Sequence, residues 1–294
     1  MPLYKYVSAP IAEKIIDGKI RFTQPNLLND PFELLPEILV EPQNSQASHQ
    51  LSFDLTAPRR NSILDLSVLS DTGNKSDLIA RQIREQLNST IGILCLSKNP
   101  DSLSMWAHYA QDYTGVLIEF DETHDFFQAR CEVEYVSSRP VLPLSHFMRR
   151  EPIPIAELQF KSNQWEVEQE VRVFHLQKNC FKETGSGADV YLAELPLAAI
   201  KSLTLGERMP VQQQQFFYAR LMETRVGLKL AAVANNEFGF RYDPIKWDLP
   251  YSEMGPVMSP RTAHIFRDFP EDLGEAARWM VEKHRLSKVV NQKA

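Results

Sequence analysis

Acidic side chains recur at every second position of the segment WEVEQEVRVF. In a β-strand such positions share one face, which would group the charged residues Glu166, Glu168, Glu170 and Arg172. If that face lined a cleft, repulsion and burial would raise the pKa of one carboxyl group enough for acid–base catalysis. If the face were exposed to water, the charges would only compensate one another. Both interpretations stay open at this point, and Glu168 and Glu170 are the catalytic candidates.

The segment IGILCLSKNPDSLSMWAHYAQDYTGVLIEF predicts a strand, a helix and a second strand. Ile91–Leu96 is a continuous apolar run, which is typical of a buried strand. Asn99 followed by Pro100 predicts the start of a helix, because asparagine is a favourable N-cap and proline suits the first turn. Gly115 predicts the end of that helix, and Val116–Phe120 is the expected second strand.

This predicted helix carries a dense group of chemically capable side chains. Trp106 and Tyr109 are three residues apart and share one side, where they belong either to the core or to a surface that stacks on a ligand. His108 is either a buried, hydrogen-bonded histidine or a donor that faces a ligand. The sequence contains no P-loop and no G-x-G-x-x-G motif. Its histidines and cysteines lack zinc-site spacing, so no metal is predicted.

The composition is that of an ordinary globular protein. The 294 residues are 43% hydrophobic and carry a formal net charge of -6, which argues against a broadly basic nucleic-acid-binding surface. The three cysteines are far apart, as expected of reduced thiols in a cytoplasmic protein. No secretory signal and no apolar run of about 20 residues is visible. We therefore expect a cytoplasmic protein that does not bind membranes.

Strand and helix signals are interspersed along the chain. They predict an α+β fold with mixed, mainly antiparallel central sheets and flanking helices. We expect one domain over residues 3–248, with a helix at Ser76–Leu87 that has one apolar face. A surface insertion is expected near residues 43–75, where Ser, Asn, Gln and Asp are frequent. Residues 249–294 are expected to form a C-terminal extension that ends in an amphipathic helix, Pro270–Ser287.

Several motifs together resemble one family, the bacterial proteins catalogued as domain of unknown function 2971. The likeness lies in the opening LYKYVS, in P-x-x-L-N-D-P-F-E from Pro25 to Glu33, and in CLSKNPDSLSMWAHYAQDYTGVLIEF. It continues with Tyr135, with W-x-x-E-x-E-x-R from Trp165 to Arg172, and with IKSLTLG, which ends at Gly206. These motifs follow the family's order over residues 3–242. The resemblance implies an architecture more than an activity.

A second resemblance is to the ADP-ribosyltransferase fold, whose members bind NAD between two small sheets. Leu3–Gly18 is similar to the opening strand and helix of those enzymes. Ser97, at the end of a predicted strand, is similar to their middle motif, and Glu168-Gln169-Glu170 is similar to their catalytic E-x-E strand. The resemblance implies NAD as a substrate.

The same resemblance implies roles for individual side chains. Glu170 would hold the nicotinamide-ribose hydroxyl and stabilise an oxocarbenium-like centre, while Trp106 or Tyr109 would stack on the nicotinamide. The chain departs from the pattern in its first strand, which has Lys5 and Tyr6 where those enzymes place Arg or His. It also lacks their Ser-Thr-Ser triplet.

The leading hypothesis is an enzyme that binds a nucleotide-like small molecule, with NAD as its substrate and with a protein or nucleic-acid acceptor left open. Its catalytic residues would be Glu170, Glu168 and His108. Its cofactor-binding residues would be Tyr6, Asn29, Asp30, Ser97, Trp106, Tyr109 and Arg172.

Two alternatives belong to other functional classes. The first is a non-catalytic binding or sensing module of a defence or stress system, in which Asp30, Glu170 and Arg172 pair internally in a structural polar network. The second is a metal-dependent nuclease that uses Asp30, Glu168 and Glu170. The acidic composition, and an arginine where such a nuclease would have a lysine, disfavour the nuclease.

Overall fold

The structure is a computed structural model that describes residues 1–39, 49–54, 61–64, 75–147, 153–184 and 189–286. Its helices are α1 (Ala9–Ile16), α2 (Lys75–Asn88), α3 (Leu103–His108), α4 (Leu144–Phe147), α5 (Val211–Leu221) and α6 (Glu271–Lys283). Its strands are β1 (Leu3–Val7), β2 (Lys19–Phe22), β3 (Glu37–Leu39), β4 (His49–Asp54), β5 (Asn61–Leu64), β6 (Ile91–Ser97), β7 (Val116–Phe120), β8 (Arg130–Glu132), β9 (Glu134–Val136), β10 (Val141–Pro143), β11 (Ile153–Pro154), β12 (Phe160–Ser162), β13 (Glu170–Leu176), β14 (Phe181–Glu183), β15 (Val190–Glu194), β16 (Ile200–Leu205), β17 (Gly227–Val233) and β18 (Phe240–Lys246).

The chain divides into two compact units, each made of separate segments. The first unit contains Met1–Lys19, Ser97–Phe126 and Leu195–Ala294, and the second contains Ile20–Leu96 and Phe127–Glu194. The expected boundary at residue 248 stays a prediction. Most of the expected insertion near residues 43–75 lies outside the described residues, and its described part includes the antiparallel strands β4 and β5.

The first unit is built on five strands in the order β18, β17, β16, β7, β1. β16 and β17 run parallel, whereas the other neighbouring pairs are antiparallel. The predicted α+β class with a mixed, mostly antiparallel sheet is therefore confirmed. All residues of β7 except Glu119 are buried, which agrees with the apolar character of its other four residues.

The C-terminal residues pack within the first unit. The ring of Phe266 lies edge-on to Tyr218 of α5, with 4.9 Å between the ring centroids. Thr262 and Ile265, which come shortly before Phe266 in the sequence, are also buried. α6 then forms inside the segment where an amphipathic helix is predicted. No described helix is long and apolar enough to cross a membrane.

The second unit has its core around α2. The apolar face expected for this helix is present, because Ile79, Ile83 and Leu87 are fully buried. They belong to one hydrophobic cluster with Ile91 and Ile93 of β6. β6 neighbours β13, which pairs antiparallel with β8, and β9 and β12 form a short parallel pair.

The expectation of one long strand through WEVEQEVRVF is wrong. Asn163–Glu168 is a 3₁₀ helix whose first turn is capped by the Ser162 hydroxyl, which accepts a hydrogen bond from the Gln164 N–H. Gln169 has a left-handed conformation with a φ of 43°, and the strand begins only at Glu170. The alternating charges therefore belong to two elements, and a change of backbone direction separates them.

The start of α3 also differs from the prediction. Its N-cap is Ser102, whose hydroxyl accepts a hydrogen bond from the Met105 N–H at 3.3 Å. The Asn99 side chain instead accepts a bond from the Asp101 N–H at 3.0 Å and forms a turn ahead of the helix. Asparagine suits both roles, so composition alone could not separate a turn from a cap.

The helix ends at His108, earlier than Gly115 predicts. Three consecutive residues, Gln111, Asp112 and Tyr113, have left-handed φ angles of 50°, 52° and 69°. Gly115 serves close packing instead, because a Cβ there would lie 2.2 Å from the Val7 carbonyl oxygen and 2.8 Å from that of Ala110.

We expect Gly115→Ala to lower the free energy of unfolding by about 1–3 kcal/mol, since the added methyl group meets backbone that must shift. Gly255→Ala is the matched control, because a Cβ at Gly255 has no described atom within 4 Å. Its effect should stay within about 0.5 kcal/mol. Urea unfolding measures both, and equal effects would contradict the packing role of Gly115.

Candidate functional site

The predicted site residues separate into two groups, one in each unit. Glu168, Glu170 and Arg172 of the second unit meet two further charged residues, Glu33 and Lys161. We call these five residues the charge cluster. The Arg172 guanidinium contacts Glu170 at 2.7 Å and Glu33 at 2.5 Å. The Lys161 ammonium contacts Glu168 at 2.7 Å, Glu170 at 3.1 Å and Glu33 at 3.3 Å.

Four separate elements supply the charge cluster. Glu170 and Arg172 are two apart on β13 and so share a strand face. Lys161 is the middle residue of β12, and Glu168 is the last residue of the 3₁₀ helix. Glu33 comes from the turn that follows Asn29-Asp30-Pro31.

Asp30 builds that turn and is not the partner of Arg172. Its carboxylate accepts a hydrogen bond from the Phe32 N–H at 2.9 Å, and its carbonyl accepts one from the Glu33 N–H at 3.3 Å. The expected internal pairing therefore includes Glu170 and Arg172, but Glu33 takes the place predicted for Asp30. Asn29, another predicted ligand contact, is exposed.

The charge cluster is almost completely removed from water. Its two cationic side chains are at most 2% exposed, and its three carboxylates at most 7%. Arg172 also donates to the Gln159 side-chain oxygen at 3.2 Å. The Tyr135 hydroxyl accepts a hydrogen bond from the Glu170 N–H at 2.7 Å. Buried charges are tolerated only when paired in this way, so the pairing is a condition for burial.

The two carboxyl groups nearest Arg172 have opposite pKa shifts. Burial opposes the charge on Glu170, but Arg172 and Lys161 outweigh it and hold the pKa of Glu170 at about 2. Burial raises the pKa of Glu33 above its ordinary value, although Arg172 lowers it. Burial disfavours the charged Lys161, but the surrounding carboxylates raise the pKa of its ammonium group. Glu170 is therefore ionised across the physiological pH range. Of these two carboxyl groups, Glu33 is the more readily protonated.

The arrangement leaves little capacity for new ligands. Both Glu170 oxygens already accept from cationic donors, at distances of 2.7–3.1 Å. The Glu170 side chain is only 5% exposed, so it offers almost no surface to a ribose hydroxyl. Lys161 also lies 4.9 Å over the centroid of the Trp165 ring. Among the described residues, no group of three or more His, Cys, Asp or Glu side chains is arranged to hold a metal ion.

Sequence patterns missed Lys161 and Glu33 as members of this cluster. Glu33 ends the P-x-x-L-N-D-P-F-E motif, so the motif itself was the signal that could have identified it. Lys161 stands in QFKSNQ without local periodicity. Its role follows from its contacts with Glu33, Glu168 and Glu170, which no short-range pattern encodes.

The second group lies in the first unit and is mainly aromatic. Tyr6 and Trp106 are buried, with 5.3 Å between their ring centroids and an interplanar angle of 86°. Half-buried rings pack against them: Tyr4, Tyr109, Tyr113, Phe240 and Tyr242. We call these seven rings the aromatic cluster. His108, a catalytic candidate, is exposed on the last turn of α3.

Two predicted ligand contacts in this unit are occupied by the backbone. The Tyr6 hydroxyl donates to the Asn99 carbonyl at 2.9 Å and accepts from the Ser102 N–H at 3.2 Å. The Ser97 hydroxyl accepts from the Asn99 N–H at 2.9 Å, and Ser97 is buried. Both side chains therefore hold the turn that precedes α3.

Comparisons with protein-family profiles, with curated proteins and with solved structures found no match to this chain. Membership in the family that the motifs resemble, the likeness to ADP-ribosyltransferases and the use of NAD therefore stay predictions.

We expect acid to destabilise the protein through Glu170. Its pKa falls from an ordinary 4.5 to about 2 on folding, so its contribution is complete above 4.5 and is lost as the pH falls towards 2. That contribution is about 3 kcal/mol, and Glu170→Gln should flatten the dependence of unfolding free energy on pH in this window. Glu33 acts with opposite sign, because its raised pKa gives stability that is lost as the pH rises through it.

The control for this series is Glu253→Gln, which changes an exposed carboxylate. Urea unfolding between pH 3 and pH 7 measures all three proteins. If the unfolding free energy of Glu170→Gln depended on pH as steeply as that of the wild-type protein, the stabilising role of the ionised Glu170 would be contradicted.

Proposed function

We propose that this protein is a non-catalytic binding or sensing module and that its charge cluster is a structural element. One observation carries the proposal. Every carboxylate of the cluster is buried and contacts Lys161 or Arg172, so the two catalytic candidates Glu168 and Glu170 are already paired within the protein. A catalytic residue must contact its substrate, and these side chains are at most 7% exposed.

The state of Glu170 supports this choice over an NAD-consuming transferase. In that reaction Glu170 would accept a hydrogen bond from a ribose hydroxyl, yet both of its oxygens already accept hydrogen bonds from Arg172 or Lys161 and its side chain is only 5% exposed. Removing either cation would leave the buried Glu170 charge with only one of its two cationic partners. The residues present therefore do not fit NAD at Glu170, and we assign Glu170 no step in catalysis.

We expect Arg172→Met and Glu170→Gln each to lower the free energy of unfolding by about 3–5 kcal/mol, because each removes one of the partners of a buried charge. Lys182→Ala is the matched control in the same unit. Lys182 pairs with Asp189 at 2.8 Å, but its side chain is 51% exposed. Such surface pairs contribute about 0–1 kcal/mol. Urea unfolding of the three variants tests the difference between buried and exposed pairs.

A calorimetric titration of NAD, with nicotinamide release followed in parallel, separates the two functional classes. We expect no nicotinamide release from the wild-type protein. Release that disappears in a folded Glu170→Gln variant would contradict the proposal and support the transferase. A Glu170→Gln variant as stable as wild type would also contradict it, because a ligand-facing carboxylate can be neutralised without loss of stability.

A further inference from the structure

Two loops of the first unit meet beside the paired strands β17 and β18. Residues 222–226 precede β17, and residues 247–254 follow β18. Leu228 pairs with Lys246 in the register of these antiparallel strands, so both loops lie at the same end of the sheet. We call residues 222–226 and 247–254 together the two-loop surface.

Hydrogen bonds fix the backbone of the two-loop surface. The Tyr251 N–H donates to the Met222 carbonyl at 2.7 Å and joins one loop to the other. Beneath them, the buried Lys246 ammonium donates three hydrogen bonds of 2.8–3.0 Å to the backbone carbonyls of Thr224, Val226 and Trp247. An ammonium has three donors, so all of them are used. The two loops are therefore held in one arrangement, and their exposed side chains stand on a fixed backbone.

Three large apolar side chains of the two-loop surface are accessible to a partner. Trp247 is 50% exposed, Tyr251 37% and Met254 44%. Single exposed apolar residues are normal on protein surfaces, but these three lie within eight consecutive residues. Tryptophan, tyrosine and methionine are enriched at protein–protein interfaces, and side chains on a fixed backbone lose less entropy on binding. The two-loop surface therefore has the composition and rigidity of a protein-binding site.

The charges of the two-loop surface indicate which kind of partner it fits. Its residues include three carboxylates, Glu223, Asp248 and Glu253, but only one guanidinium, Arg225. Arg225 pairs with Glu253 at 2.9 Å, which leaves a net negative charge at the exposed residues Glu223 and Asp248. Like charges oppose association, so a second copy of this surface, an anionic membrane and a nucleic acid are all disfavoured. A cationic partner is favoured.

We propose that the two-loop surface binds a basic segment of a partner protein. Trp247 and Tyr251 pack against apolar side chains of that segment. Glu223 and Asp248 pair with its lysine or arginine side chains. The inference rests on the proposed function, because it names the partner class of the binding module. All four residues belong to the first unit, so the charge cluster plays no part in binding.

Calorimetric titration of the full chain with two synthetic peptides tests this surface. One peptide consists of lysine and leucine in an amphipathic helical repeat, and the other has glutamate in place of every lysine. We expect the wild-type protein to bind the lysine peptide at least about 10-fold more tightly than the glutamate peptide. This preference should shrink as the salt concentration is raised, because exposed charges are screened.

Two variants with matched controls assign the binding to the two-loop surface. Trp247→Ser should weaken binding of the lysine peptide at least about 10-fold, as truncation of a central interface tryptophan commonly does. Trp279→Ser is its control and should bind like the wild-type protein, because Trp279 lies on α6 and is 57% exposed. Asp248→Lys should weaken binding at least about 5-fold. Glu275→Lys changes an exposed residue of α6 by the same charge and should have a smaller effect. Circular dichroism shows whether each variant is folded.

Absence of lysine-peptide binding at millimolar concentration would overturn the proposal, as would equal binding of both peptides. Wild-type affinity in folded Trp247→Ser or in folded Asp248→Lys would overturn it too. Sedimentation equilibrium tests the competing occupant: a dimer that Trp247→Ser dissociates would mean that a second copy covers this surface. These failures are distinguishable from failure of the proposed function, which rests on the stabilities of the Glu170 and Arg172 variants.

Discussion

The second unit depends on the ion pairs that the Arg172 guanidinium forms with two carboxylates. The guanidinium is fully buried, and it holds Glu170 of its own strand and Glu33 from a distant turn, at 2.7 Å and 2.5 Å. A buried guanidinium is stable only with its carboxylates in place, so β13 and the turn at Glu33 must come together. Lys161 adds a second cation and requires β12 to lie beside them. Specific pairing of buried charges thus defines how these elements assemble.

Local sequence patterns predicted much of the fold and fewer details of the site. The apolar spacing of Ile79, Ile83 and Leu87 predicted α2, because one buried helix face has a period that a short window reveals. The long strand predicted from the alternation through Glu168 and Glu170 was wrong. Gln169 has a left-handed conformation and separates two elements that share the charge pattern. Glu33 and Lys161 were missed because their meeting depends on chain segments far apart in sequence. A periodic pattern within a short segment does not reveal contacts between distant segments.

The division of candidate residues between two units changes how function can be assigned. The charge cluster of the second unit is buried and paired internally, whereas five residues of the aromatic cluster in the first unit are only half-buried. Burial with internal pairing favours a role in stability, so we assign the charge cluster to stability and not to catalysis. Residue type alone would have suggested the reverse, because carboxylates are the more common catalytic groups.

A double-mutant cycle on Glu170 and Arg172 measures whether these two side chains stabilise one another. It compares the unfolding free energies of the wild-type protein, Glu170→Gln, Arg172→Met and the double variant. If the two side chains stabilise one another, the double variant will lose less stability than the sum of the single losses, with a coupling of at least about 2 kcal/mol. Additive losses would contradict the account, because they would mean that Glu170 acts independently of Arg172.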